Sequence, residues 1–211
     1  MLRLMAWLSP GFPTGAYAYS HGLEWAVAAR DITDPKTLLA WLDDLLRHGS
    51  GRNDAILLRQ AYRAASEPDH LAETADLAAA LAPSRERRAE TLDIGQAFVA
   101  AVAVWSRQEL PQKTAYPVAV GVLAAEHDVP EDDAALAYLQ AFAANLISAA
   151  VRLIPLGQSA GLRVLAAIEP MILEIAAATR DATLGDLGGC TWRADLAAMR
   201  HETQYTRLFR S

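Results

Sequence analysis

His21 and Glu24 stand three positions apart, about one helical turn, directly after the irregular stretch Ser9-Pro-Gly-Phe-Pro-Thr-Gly15. An imidazole and a carboxylate on one helical face can work as an acid/base pair. The same spacing also arises at an ordinary helix start, with Glu24 in the first turn where the macrodipole favours a carboxylate, and this second reading carries more weight. Metal chemistry asks for clustered soft or imidazole ligands. His21, His48, His70, His127 and His201 never fall three or four apart, and Cys190 is the only cysteine. No helix face therefore offers paired imidazoles, and neither a zinc knuckle nor a CxxC redox pair exists. His201-Glu202 and Cys190 remain as residues a metal ion could touch. The nearest approach to a phosphate loop, Gly11-Phe-Pro-Thr-Gly15, lacks the lysine that would reach a phosphate, and no HExxH, GxSxG or EF-hand pattern occurs. The expectation is a chain with no catalytic residues and no cofactor of its own.

Residues suited to holding a partner are more plentiful. The tail His201-Glu-Thr-Gln-Tyr-Thr-Arg-Leu-Phe-Arg-Ser211 places Tyr205, Arg207, Phe209 and Arg210 where chains usually fray, and these are residue types that dominate binding hot spots. The alternative is that Leu208 and Phe209 fold back onto the chain's own core. At the other end, Phe12, Tyr17 and Tyr19 lie within a Pro/Gly/Tyr-rich segment, 8–24. They supply more rigid aromatic surface than a connector requires, although a loop packed by its own aromatics would look the same. Arg152 follows 18 uncharged residues, Ala134 to Val151. Its guanidinium can cap carbonyls, snorkel to solvent, or meet a carboxylate or a partner.

Helical punctuation positions all of these residues, and strand punctuation is missing, so the fold class is all-α. Asp34-Pro35 reads as an N-cap followed by proline at the first helical position, with Leu38, Trp41, Leu42, Leu45 and Leu46 as a stripe and Gly49 as the stop. Further helices are predicted from about Asn53 to Ala65, from Glu67-Pro68 to Ala82, and from Ser84 to near Leu110-Pro111. Others run from Pro117 to Glu126, and from Pro130 with its carboxylates Glu131, Asp132 and Asp133 to Ile154. Gly157 to Arg180 reads as helical, with Pro170 expected to kink or divide it. A glycine-rich loop over 186–192 leads to a last helix from Arg193. At 211 residues this makes one domain, 1–211, of about eight to ten helices.

Composition narrows the function. The net charge is −6 and the best basic cluster, Arg85-Glu-Arg-Arg88, is diluted by glutamate, which speaks against a nucleic-acid surface. The first fifty residues are acidic on balance, the wrong sign for an N-terminal helix-turn-helix. The run 134–151 borders on membrane-span length, but it is rich in alanine and carries Gln140, Asn145 and Ser148, and it reads as a buried helix of a soluble protein. A lone cysteine and an N-terminus too weakly apolar for a signal peptide point to the reducing cytoplasm.

Three segments in order, Leu8 to Glu24, Ala150-Val-Arg-Leu-Ile-Pro-Leu-Gly-Gln158 and His201 to Ser211, resemble the urease accessory protein family UreF; Ala115-Tyr-Pro-Val-Ala-Val-Gly121 fits the same pattern. The resemblance implies an all-helical, homodimeric, cytoplasmic protein without enzyme activity. It would join a scaffold protein, UreD (UreH in some systems), and a nickel-binding GTPase, UreG, in a complex that loads nickel into apo-urease. By the same resemblance Tyr205, Arg207, Phe209 and Arg210 dock the scaffold protein. Phe12, Tyr17, Tyr19, Glu24 and Arg152 belong to the surface facing the GTPase or the second subunit. Two other readings remain open from the residues alone: a small helical hydrolase or lyase using His21 and Glu24, and a helical adaptor with other partners.

Overall fold

In the computed structural model, which describes residues 1–106, 110 and 113–211, the described residues form ten α-helices. These are α1 Leu2–Trp7, α2 Leu23–Ala28, α3 Pro35–His48, α4 Ser50–Arg63, α5 Pro68–Ala80, α6 Arg85–Val102, α7 Tyr116–Glu126, α8 Glu131–Leu153, α9 Gln158–Ala178 and α10 Trp192–His201. Short 3-10 turns occur at Ala16–Ala18 and Leu184–Asp186. No strand occurs among the described residues.

The boundaries follow the local chemistry. Asp34 caps α3 by accepting from the Thr37 N–H at 2.8 Å while the Thr37 hydroxyl reaches back to the Asp34 N–H, Pro35 occupies the first turn, and Gly49 ends the helix. Ser84 accepts from the Arg87 N–H to start α6. One boundary needs correction, and one of two alternatives is decided. α6 stops at Val102 instead of continuing to Leu110, which lies in irregular chain; Pro111 lies outside the described residues. α9 is not divided at Pro170 but runs unbroken from Gln158 to Ala178. Pro170 and Ala166, whose carbonyl its ring displaces, are both exposed, so that carbonyl can turn to water.

α8 is the central element. It has the length and apolarity of a membrane span, yet half of its apolar window is buried, against α2, α4, α7 and α9. One core cluster joins α2, α3, α8, α9 and α10 around Leu42, Leu146 and Ile168; a second joins α1, α6, α7 and the first half of α8 around Trp7, Phe98 and Leu123. The first-turn carboxylates of α8 do more than face a macrodipole. Buried Arg59 of α4 donates to Glu131 at 2.7 Å, to Asp132 at 2.8 Å and to the Ala176 carbonyl at the end of α9 at 2.8 Å, and Arg63 and Arg180 complete the network. One guanidinium thus ties three helices together.

Candidate functional site

The two segments that the sequence singled out meet. His21 and Gly22 take left-handed backbone conformations, φ 58° and 75°, which end the irregular segment and start α2 in one step. A Cβ at Gly22 would lie 2.5 Å from the Ala198 amide nitrogen, so only glycine lets α10 pack this closely on the start of α2. That contact brings the tail leaving α10 across residues 17–24.

The tail is fastened residue by residue. The Leu208 and Phe209 amides donate to the two Glu24 carboxylate oxygens at 2.7 and 2.9 Å. The Arg210 N–H donates to the Ala18 carbonyl at 2.8 Å, and the Ser20 N–H to the Ser211 carbonyl at 2.9 Å. Arg207 pairs with Glu86 at 2.6 Å. Phe209 is buried, with the Arg152 guanidinium 4.5 Å from its ring centroid. Arg152 also donates to the Tyr17 carbonyl at 2.8 Å and to the Ser148 carbonyl at 3.3 Å. It caps α8 and clasps both segments.

Each candidate residue has a definite place. Tyr17, Tyr205, Arg207, Arg210 and Arg152 are exposed, Phe12 is half-buried, and Tyr19, Glu24 and Phe209 are buried. Tyr205 is fully exposed and Leu208 is 78% exposed, so the foldback alternative holds for Phe209 and fails for its neighbour. Tyr19 donates to Asp93 at 3.1 Å and lies under Arg210; burial and the Asp93 carboxylate push its phenol up to about 12. Phe12 packs on Phe98 and Trp105, away from the tail contacts.

His21 and Glu24 are not the acid/base pair their spacing allows. His21 precedes α2, and its left-handed backbone aims the ring at α6, where Nδ1 stands 2.7 Å from Glu90 and 2.8 Å from Arg87. Glu24 instead faces His201 at 3.3 Å and the tail amides. His201, fully buried, contacts Glu86 through its other ring nitrogen at 2.6 Å. Cys190 is exposed beside Asp195, so the structure gives His201 and Cys190 different neighbours. No group of three or more His, Cys, Asp or Glu residues with metal-holding geometry occurs among the described residues.

α6 contributes what the sequence did not reveal. Glu86, Glu90 and Asp93 recur every three to four residues on one face and bind Arg207 and His201, Ser211 and His21, and Tyr19, in that order. Read for nucleic acid, the Arg85–Arg88 cluster is a failed basic patch; its one acidic member, Glu86, and the Glu90 and Asp93 that follow on the same face are the informative residues. Burial pushes the Glu90 carboxyl up, but Arg87 and His21 outweigh it and hold it at about 2. Burial, and then Arg87, lower the His21 pKa. Beside them Asp54 accepts from the Tyr138 hydroxyl at 2.8 Å, and burial pushes its carboxyl up to about 6. His21, Asp54, Arg87 and Thr91 form a shared floor for two cavities, of about 210 and 420 Å³. The larger is walled by Leu4, Met5, Leu8, Ile94 and Phe142.

The family model UreF matches residues 32–169. The full chain is 53% identical to the urease accessory protein UreF of Rhodopseudomonas palustris (strain BisA53), covering 93% of that protein. It is 53% identical to the protein of the same name from Bradyrhizobium diazoefficiens, covering 91% of it. It is 52% identical to that of Azorhizobium caulinodans, covering 95%.

Proposed function

The chain belongs to the UreF family of urease accessory proteins, and from that premise we propose that it acts by assembly, bridging a UreD/UreH-type scaffold protein and a UreG-type GTPase so that nickel is loaded into apo-urease in a GTP-dependent way. It is an accessory protein and not itself an enzyme. In this reading it works in the cytoplasm as a homodimer, and nickel is cargo of the assembly. The observation that carries the proposal is the fastened tail: Tyr205 and Leu208 are held outward on a backbone tied at Leu208, Phe209, Arg210 and Ser211. A preordered strap loses less conformational entropy on docking than a free one, and an exposed aromatic and a leucine on it are candidate anchors for the scaffold protein. Tyr17 and Arg152 on the adjoining surface are assigned to the GTPase or the second subunit. Control of the GTPase then requires different affinities for its nucleotide states.

Size exclusion with light scattering, on the chain co-expressed with the scaffold protein and the GTPase, tests the reading. A stable complex that loses the scaffold protein when Tyr205 and Leu208 are both replaced by alanine supports it. Elution of the unaltered chain alone refutes it.

A further inference from the structure

His21 is only 9% exposed and stands in the left-handed region at φ 58°, directly before Gly22 at φ 75°. Two such residues in succession turn the chain out of the irregular segment and into α2, and a residue with a side chain holds that conformation at a cost. The ring offsets it. Nδ1 lies 2.7 Å from Glu90 Oε1 and 2.8 Å from Arg87 Nη1, and the ring stands edge-on to Phe142 at 5.0 Å. One nitrogen cannot donate to the carboxylate and accept from the guanidinium at once. Glu90 decides between them. Burial raises its carboxyl, but Arg87 and His21 bring it down to about 2, so it is ionised and can only accept. A bare Nδ1 would set its lone pair against that carboxylate, whereas Arg87 has further N–H groups and already pairs with Glu90. Burial, and then Arg87, also hold the ring back from a second proton. The single proton therefore sits on Nδ1. Nε2, buried and without a hydrogen-bond partner, is then a lone pair, and unmatched buried acceptors are commoner than unmatched N–H groups.

We propose that His21, in its Nδ1–H tautomer, is a positioning residue that pins the start of α2 to α6 and so sets how the segment before it faces a partner. The pin is made by His21, Arg87, Glu90 and Phe142, and it uses no residue of α10 or the tail. Its effect travels through the backbone. The Leu23 N–H donates to the Ser20 carbonyl at 3.0 Å and the Ala26 N–H to the Gly22 carbonyl at 3.2 Å, so both left-handed residues lie within the first bonded turns of α2. Tyr17, exposed and four residues before His21, is the side chain held toward the assembly. That docking arm rests on the function proposed above; the pin does not.

Nitrogen-15 NMR of the histidine rings in the full chain reads the tautomer, with the His21 signals assigned by their loss in His21→Asn. A protonated Nδ1 and a bare Nε2 are expected at neutral pH; the opposite pattern, or a doubly protonated ring, overturns the proposal. Two variants then test the pin. His21→Leu removes the donor and keeps a buried side chain on the same backbone. His21→Asn returns an N–H close to where Nδ1 stands, in a residue type that tolerates the left-handed region. Amide hydrogen exchange at Leu23 and Ala26 should accelerate about tenfold or more in His21→Leu, with the amides of α4 and α7 unchanged, and should stand closer to the unaltered chain in His21→Asn. Equal acceleration in both variants, or none in either, shows a ring that only fills space and overturns the pin. If His21→Leu does not fold, the tautomer and the exchange in His21→Asn decide. Co-elution with the scaffold protein and the GTPase should fall in His21→Leu and recover in His21→Asn. If the tautomer and exchange results hold while co-elution is the same in both variants and the unaltered chain, the pin stands and its docking arm fails.

Discussion

Replacing Asp54 by asparagine should stabilise the protein at neutral pH and do nothing for it in acid. Asp54 is half-buried on the floor shared by the two cavities, and its folded-state pKa of about 6 exceeds the ordinary 3.8. Burial is the largest cause; Glu90 adds to the rise, while Arg87 and the Tyr138 hydroxyl oppose it. A carboxyl that is harder to ionise when folded contributes most below pH 3.8, and that contribution is lost as pH rises through 6. At about 1.4 kcal/mol per pH unit, the ceiling is about 3 kcal/mol, and water entering the cavities screens part of it, leaving roughly 1–3 kcal/mol. Asparagine keeps an oxygen for the Tyr138 hydroxyl and carries no charge. Urea unfolding of both proteins, followed by circular dichroism at one protein concentration, should give equal stabilities near pH 4, an advantage for the variant growing between pH 4 and 6, and a plateau above. A difference independent of pH, or a variant less stable at pH 8, would show that Asp54 is not held against its charge and refute the reasoning.

Arg59→Met should cost about 3 kcal/mol or more, because Glu131, Asp132 and the Ala176 carbonyl lose one buried donor together; chemical denaturation measures it. Gly95→Ala in α6 should destabilise by about 1–3 kcal/mol despite the roughly 1 kcal/mol that alanine gains in a helix, because its Cβ would overlap the Thr114 carbonyl. A raised thermal midpoint would show that α6 can move away. Tyr205→Ala should leave the unfolding free energy within about 0.5 kcal/mol yet weaken scaffold binding about tenfold or more, as read by titration calorimetry.

What could be read from the sequence was whatever local chemistry decides. The Asp34-Pro35 cap, the Gly49 stop, and the Pro130 to Ile154 helix depend on neighbours within a turn or two, and all three stand close to where their residues place them. α1 was missed because six residues with no side-chain cap form a helix only by packing Leu4 and Trp7 into the second core cluster. Glu24 was legible as a first-turn residue and illegible as a tail receptor, since its donors lie more than 170 positions away. The spacing of Glu86, Glu90 and Asp93 was visible throughout. What they bind depends on where α10 crosses α2, and that crossing is set by Gly22, whose need for close approach leaves no mark in composition.

The joining of residues 17–24 with 205–211 also fixes when the protein can become competent. Chains emerge from the ribosome in order and begin to fold from the leading end, so the bundle from α1 to α9 can collapse before His201, Leu208 and Phe209 are there to meet Glu24. The strap can be fastened only once residues 205–211 have been made and can reach residues 17–24. A stalled or prematurely ended chain would carry most of the core and none of the fastening.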